Sequence, residues 1–135
     1  MNTEIKKILV IDDTQIIRDL LVEVLRADGY DVAMAKDGVE AVEMVREQDY
    51  DLVFCDVHMP RQNGLETARQ IMELSETAKL IMTDSYPDKL AKQAKREGAF
   101  GYICKPFDLG ELRLLLQRVE RGETLEPQPT REMKP

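Results

Sequence analysis

The chain has 135 residues, 43% of them apolar, which suits one domain with its own core and argues against general disorder. A formal charge of −7 disfavours a nucleic-acid-binding surface. There is no apolar run long enough to span a bilayer, and Met1-Asn2-Thr3-Glu4-Ile5-Lys6-Lys7 lacks the apolar core of a signal peptide, so a cytoplasmic protein without a membrane segment is expected.

Ile8-Leu9-Val10-Ile11 is a compact apolar run followed by Asp12-Asp13, and it reads as a first strand with an acidic end. Thr14 or Asp13 can cap the helix that follows. Ile16, Ile17, Leu20, Leu21, Val24 and Leu25 recur at helical spacing and predict its buried face, and Gly29 predicts its stop. Tyr30 to Ala35 alternates, with Tyr30, Val32 and Met34 on one side, as a half-buried edge strand does. Gly38 opens a second helix with Val39, Val42 and Val45 on its inner face.

Leu52-Val53-Phe54-Cys55 ends in Asp56, and Pro60 soon blocks continuation, so a buried parallel third strand closes at Asp56. Leu65 to Leu74 predicts a third helix, with Gly64 ahead of it supplying a conformation that other residues resist. Lys79-Leu80-Ile81-Met82-Thr83 is the fourth strand, and Pro87 suits the first turn of a fourth helix reaching about Gly98. That helix has a thin apolar stripe, Leu90, Ala91 and Ala94, and is expected to pack loosely and move. Phe100 to Cys104 is the fifth strand, followed by Lys105-Pro106. Asp108 with Glu111 forms a capping box for a fifth helix with the stripe Leu109, Leu112, Leu115, Leu116 and Val119, ended by Gly122. Residues 1–122 form the domain, and 123–135, polar and with three prolines, are expected to be a flexible tail or linker.

Five strands alternating with five helices predict an α/β fold: a (βα)5 doubly wound, five-stranded parallel sheet in a flavodoxin-like three-layer sandwich. The order 2-1-3-4-5 is the economical winding and sets strands one and three side by side at the switch point. Cys55 and Cys104 then lie on strands separated by a third, roughly 9–10 Å apart, too far for a disulfide.

Polar residues end four of the strands: Asp12-Asp13, Asp56, Thr83 and Lys105. A parallel sheet brings all four ends to one edge, where ligand chemistry gathers. Close carboxylates there repel by about 1–4 kcal/mol per pair, so the cluster calls for a cation. An oxygen-rich site suits Mg²⁺ or Mn²⁺ better than zinc. Asp56 is thereby kept ionised as a nucleophile, while Lys105 and Thr83 can bind phosphoryl oxygens during transfer.

With Asp12-Asp13, Asp56-Val57-His58-Met59-Pro60, Gly64, Thr83 and Lys105-Pro106 in this order, the sequence resembles the receiver domain of two-component response regulators from Lys6 to about Arg121. The resemblance implies that Asp56 takes a phosphoryl group from a histidine kinase or phosphotransfer protein. It implies Mg²⁺ bound by Asp13 and Asp56, by Asp12 directly or through water, and by the backbone carbonyl of His58. Lys105 would pair with the phosphoryl group, its bond to Pro106 would be cis, Thr83 would move toward the phosphoryl group, and Tyr102 would rotate inward. The surface of helix four, strand five and helix five would then change to control a downstream protein or output domain. In this reading the chain is a signalling acceptor and not an enzyme, with no nucleic-acid or membrane partner of its own. Both a receiver acting alone and a piece of a longer regulator fit the sequence.

There are departures. Asp84 follows Thr83 where the family usually has alanine or glycine; its carboxylate is expected to disfavour incoming phosphate or bind an additional cation and to slow small phosphodonors, and Ser85 is a further expected modulator of the site. His58, the only histidine, is expected to be an exposed loop residue; a second role for it is contact with the water that hydrolyses the phosphoaspartate. Three rival readings fit these residues less well. A haloacid-dehalogenase-like phosphatase would need an aspartate where His58 stands. A flavin carrier would need a hydroxyl-rich loop where Asp12-Asp13 stands. An unphosphorylated docking module would have no use for the intact acceptor set.

Overall fold

The computed structural model describes residues 5–59, 63–84, 89–105 and 108–122. Pro60, Ser85, Tyr86, Pro87, Pro106 and the expected tail at 123–135 lie outside these residues. The elements run β1 (Lys7–Ile11), α1 (Gln15–Ala27), β2 (Asp31–Ala35), α2 (Gly38–Glu47), β3 (Leu52–Asp56), α3 (Gly64–Leu74), β4 (Lys79–Asp84), α4 (Lys89–Glu97), β5 (Gly101–Cys104) and α5 (Leu109–Glu120). All strand pairs are parallel, and the order is β2-β1-β3-β4-β5, as the alternation of elements predicts.

Strand alternation divides the core into two layers. Leu9, Ile11, Val53, Cys55, Leu80 and Met82 face α2, α3 and α4. Ile8, Val10, Leu52, Phe54 and Ile81 face the opposite way, against α1 and α5. β3 is buried along its whole length, as a central parallel strand must be. β2 pairs only with β1 and is an edge strand. Both cysteines are free. Among the described residues, no helix is long and apolar enough to cross a membrane.

Three helices start with the same device. Asp37, Asn63 and Asp108 accept hydrogen bonds from the backbone N–H groups of Glu40, Glu66 and Glu111 at 2.8, 2.9 and 2.8 Å. Each such cap stabilises by about 1 kcal/mol. Gly29 stops α1 at φ 98°, a conformation that glycine adopts without strain.

Some buried faces differ from the periodicity. In α1 the residues against the sheet are Leu21, Val22 and Leu25, whereas Ile16 is 77% exposed and Leu20 is 56% exposed. Val39 of α2, Leu109 of α5 and Met34 of β2 are also exposed. Ile16, Val39 and Leu109 each lie in the first turn of their helix, whereas Leu65, in the first turn of α3, is buried. Thr14 is the N-cap of α1, but its side chain makes no capping bond. β4 runs one residue further than expected and ends at Asp84.

Candidate functional site

The ends of β1, β3, β4 and β5 meet at one edge of the sheet. Asp12 follows β1 and is buried, whereas Asp13 is exposed. Asp56 closes β3 and is 6% exposed. One carboxylate oxygen from each of these three residues lies within 4.8 Å of the other two. That spacing, with oxygen donors only, fits a hard divalent cation such as Mg²⁺.

Lys105 reaches into this cluster from the end of β5. Its Nζ donates to Asp12 Oδ2 at 2.7 Å and lies 3.5 Å from Asp56 Oδ1. Asp12 is therefore bound more tightly than the sequence suggested. Its other oxygen accepts the Thr14 N–H at 2.9 Å, which fixes the chain as it enters α1. Arg18 Nη1 donates to the Asp12 backbone carbonyl, a contact the sequence reading missed. A basic side chain one turn into the helix after an acidic pair was its only signal.

The carboxyl of Asp56 is pushed up to about 7 by burial first, against the pull of Lys105, with the Asp12 charge and contact with Asp13 adding to the rise. The sign is unfavourable for the folded chain alone. Stability tied to this group is greatest below the ordinary carboxylate range and falls as pH rises toward about 7. A cation among the three carboxylates reverses that penalty.

Gly64 explains how α3 approaches β3. A Cβ there would lie 2.2 Å from the Asp56 carbonyl oxygen, and the Gly64 N–H donates to the Val57 carbonyl at 2.7 Å. The need for glycine is thus close contact and not an unusual φ, which corrects the reason given from sequence.

Thr83 stands opposite Asp56 in the parallel register and is buried. Its carbonyl accepts the Val57 N–H at 3.0 Å, so β4 is tied to the chain just beyond Asp56. Asp84 is 1% exposed, and His58 Nε2 lies 3.6 Å from its Oδ1. The His58 backbone N–H donates to Asp56 Oδ1 at 3.3 Å, while its imidazole is largely exposed. Tyr102 differs from the expected outward start: its ring is already inside, 2% exposed, in the layer with Met82, Ala94 and Ala99. Ser85, expected to modulate the site, lies outside the described residues.

Residues 8–117 match the family described as the response regulator receiver domain. The chain is 42% identical to the chemotaxis protein CheY of Halobacterium salinarum over 103 residues, covering 76% of this chain and 86% of that protein. It is 35% identical to the transcriptional regulatory protein ZraR of Klebsiella oxytoca over 133 residues, covering 98% of this chain but only 30% of that protein. Its fold matches the CheX–CheY–BeF3–Mg complex of Borrelia burgdorferi with a TM-score of 0.79 at 27% identity, covering 84% of this chain and 88% of that one. With this match over most of its length and a doubly wound parallel sheet beneath it, the chain belongs to the receiver domain family of two-component response regulators.

Proposed function

We propose that this receiver accepts a phosphoryl group on Asp56 from the phosphohistidine of a kinase or phosphotransfer protein, using Mg²⁺ or, alternatively, Mn²⁺. The observation that carries the proposal is the packing of three carboxylates within 4.8 Å with the Lys105 ammonium set between Asp12 and Asp56. The Borrelia neighbour, a complex with beryllofluoride and magnesium, supports the same assignment. The position two residues past Asp56 is His58, so the second aspartate a phosphatase of the haloacid dehalogenase class would use is absent.

In the transfer, an Asp56 carboxylate oxygen attacks phosphorus, the P–N bond to the donor imidazole breaks, and its electron pair leaves with the imidazole nitrogen. Asp13, Asp56 and the His58 carbonyl would hold the cation, with Asp12 contributing directly or through water. The bound cation supplies neutralisation of charge on the phosphoryl oxygens. Lys105 exchanges part of its contact with Asp12 for a phosphoryl oxygen. Thr83 donates its hydroxyl to another. No general base is needed where the cation holds the attacking carboxylate ionised against the rise that burial imposes.

The phosphoryl group adds about −1.5 to −2 charges at neutral pH. Thr83 moves toward it and carries Asp84 and the start of α4. With Tyr102 2% exposed here, displacement of α4 against its ring carries the signal in this reading. A downstream protein or output domain reads the surface of α4, β5 and α5.

Intact-mass measurement after incubation with acetyl phosphate and Mg²⁺ tests the acceptor. One phosphoryl adduct is expected in the parent chain and none in Asp56→Asn; no adduct in the parent, or one surviving the substitution, sinks the proposal. Cation binding is tested by thermal denaturation at pH 8. Mg²⁺ at ten times its dissociation constant stabilises the parent by about 1.4 kcal/mol. The gain should be much smaller in Asp56→Asn.

A further inference from the structure

Asp12 is held at every polar atom. Its N–H donates to the Ala35 carbonyl at 3.2 Å, Oδ1 accepts the Thr14 N–H, Oδ2 accepts from Lys105 Nζ, and its carbonyl accepts from Arg18 Nη1. Asp13, the next residue, is exposed, and its carboxylate belongs to the group of three. Arg18 stands in an electrostatically poor place. It lies in the first turn of α1, where the positive end of the helix dipole disfavours a cation, and that turn holds no acidic residue to offset it. Its charge also opposes a divalent cation at the neighbouring carboxylates. What the placement gives in return is geometric. A peptide group is planar, so the hydrogen bond that orients the Asp12 carbonyl orients the whole Asp12–Asp13 peptide plane, and with it the bond on which Asp13 departs.

We propose that Arg18 is a positioning residue for the cation site: it clamps the Asp12–Asp13 peptide and so presents the Asp13 carboxylate where it can share a divalent cation with Asp56. The proposal rests on the reading of Asp12, Asp13 and Asp56 as a cation site. Arg18 touches neither the cation nor the phosphoryl group in this scheme. Mg²⁺ demands near-ideal octahedral geometry, whereas Ca²⁺ tolerates a range of ligand numbers and angles. A residue that sets geometry therefore matters more to Mg²⁺ than to Ca²⁺. A residue that acts by charge alone matters equally to both.

The two effects of Arg18 have opposite signs. Removing its charge favours a divalent cation. Removing its hydrogen bond frees the Asp12–Asp13 peptide to turn and lets the Asp13 carboxylate wander. Outer partners of metal ligands typically change metal affinity by about 10–100-fold, so the geometric effect prevails over a charge on a side chain that is partly in solvent.

The experiment measures Mg²⁺ and Ca²⁺ dissociation constants by calorimetric titration of the whole chain, at one pH and ionic strength, for the parent, Arg18→Met, Arg18→Gln and Arg18→Lys. Arg18→Met and Arg18→Gln should each weaken Mg²⁺ binding by about tenfold and Ca²⁺ binding by about threefold at most. Arg18→Lys, which keeps a donor on a long side chain, should recover most of the loss. The two neutral variants carry the same expectation, so either one decides if the other does not fold. Tighter or unchanged Mg²⁺ binding in the neutral variants, or an equal loss for the two ions, overturns the positioning role while leaving the cation site intact. No Mg²⁺ binding by the parent overturns the cation site and the positioning role together.

Discussion

Helices α4 and α5 flank β5 on opposite faces of the sheet and are held by different means. α5 buries Leu112, Leu115, Leu116 and Val119 in the layer it shares with α1. α4 buries Ala94, with Leu90 at half depth, in the layer it shares with α2 and α3. What α4 lacks in apolar contact it partly replaces with a polar tie. Arg69 of α3 grips the Glu97 carboxylate with Nε at 2.6 Å and Nη2 at 2.8 Å, and Gln93 Nε2 donates to the same group at 2.6 Å. A side held by apolar burial resists movement through several kcal/mol. A side held by exposed ion pairs can be released at little cost. Of the stripe read from the sequence, Ala94 is buried and Leu90 half-buried, the Ala91 side chain lying outside the described residues, and the tie to α3 adds to them.

The comparison can be broken or sharpened by substitution. Leu116→Ala should cost about 2–5 kcal/mol in global stability by chemical denaturation, the usual range for a buried leucine. A cost near zero would erase the contrast. Ala94→Leu overfills the α4 interface and should cost about 1–3 kcal/mol if the helix cannot shift. If α4 gives way as proposed, the cost falls at the low end and faster amide exchange is confined to α4. Glu97→Gln should leave the melting temperature nearly unchanged and speed exchange in α4 relative to α5.

The smallest effect is that of pH on the same tie. The Arg69 guanidinium, then Gln93, hold the Glu97 carboxyl down to about 2. A depressed folded-state value means the contribution is complete above the ordinary glutamate range and is lost as pH falls through about 2. Exchange measured from pH 5 downward should therefore show α4 loosening in the parent but not in Glu97→Gln, where the tie is already weakened.

The edge chemistry was legible in the sequence because a parallel sheet turns strand endings into neighbours. Asp12, Asp13, Asp56, Thr83 and Lys105 needed only the strand ends and the winding to be brought together. The partnership of Lys105 with Asp12 was not legible, since residues 93 apart in sequence share no local pattern. The tie between Arg69 and Glu97 was hidden for the same reason: it joins two exposed faces, and periodicity reports only buried ones. Ile16, Val39 and Leu109 mark the converse failure. Their spacing is helical and their side chains are apolar, yet they are exposed, and periodicity alone does not separate them from Leu65, which is buried in the first turn of α3. Tyr102 was placed correctly on its strand; its inward setting depends on room beside Ala94 and Ala99, which are small.

The contact at Gly64 sets where motion can occur. The start of α3 meets the main chain of Asp56 and Val57 directly, with no side-chain cushion between them to compress. On the proposed function, a disturbance at Asp56 would find its outlet on the opposite flank, through Thr83 and toward α4. One missing methyl group thereby gives the domain a direction.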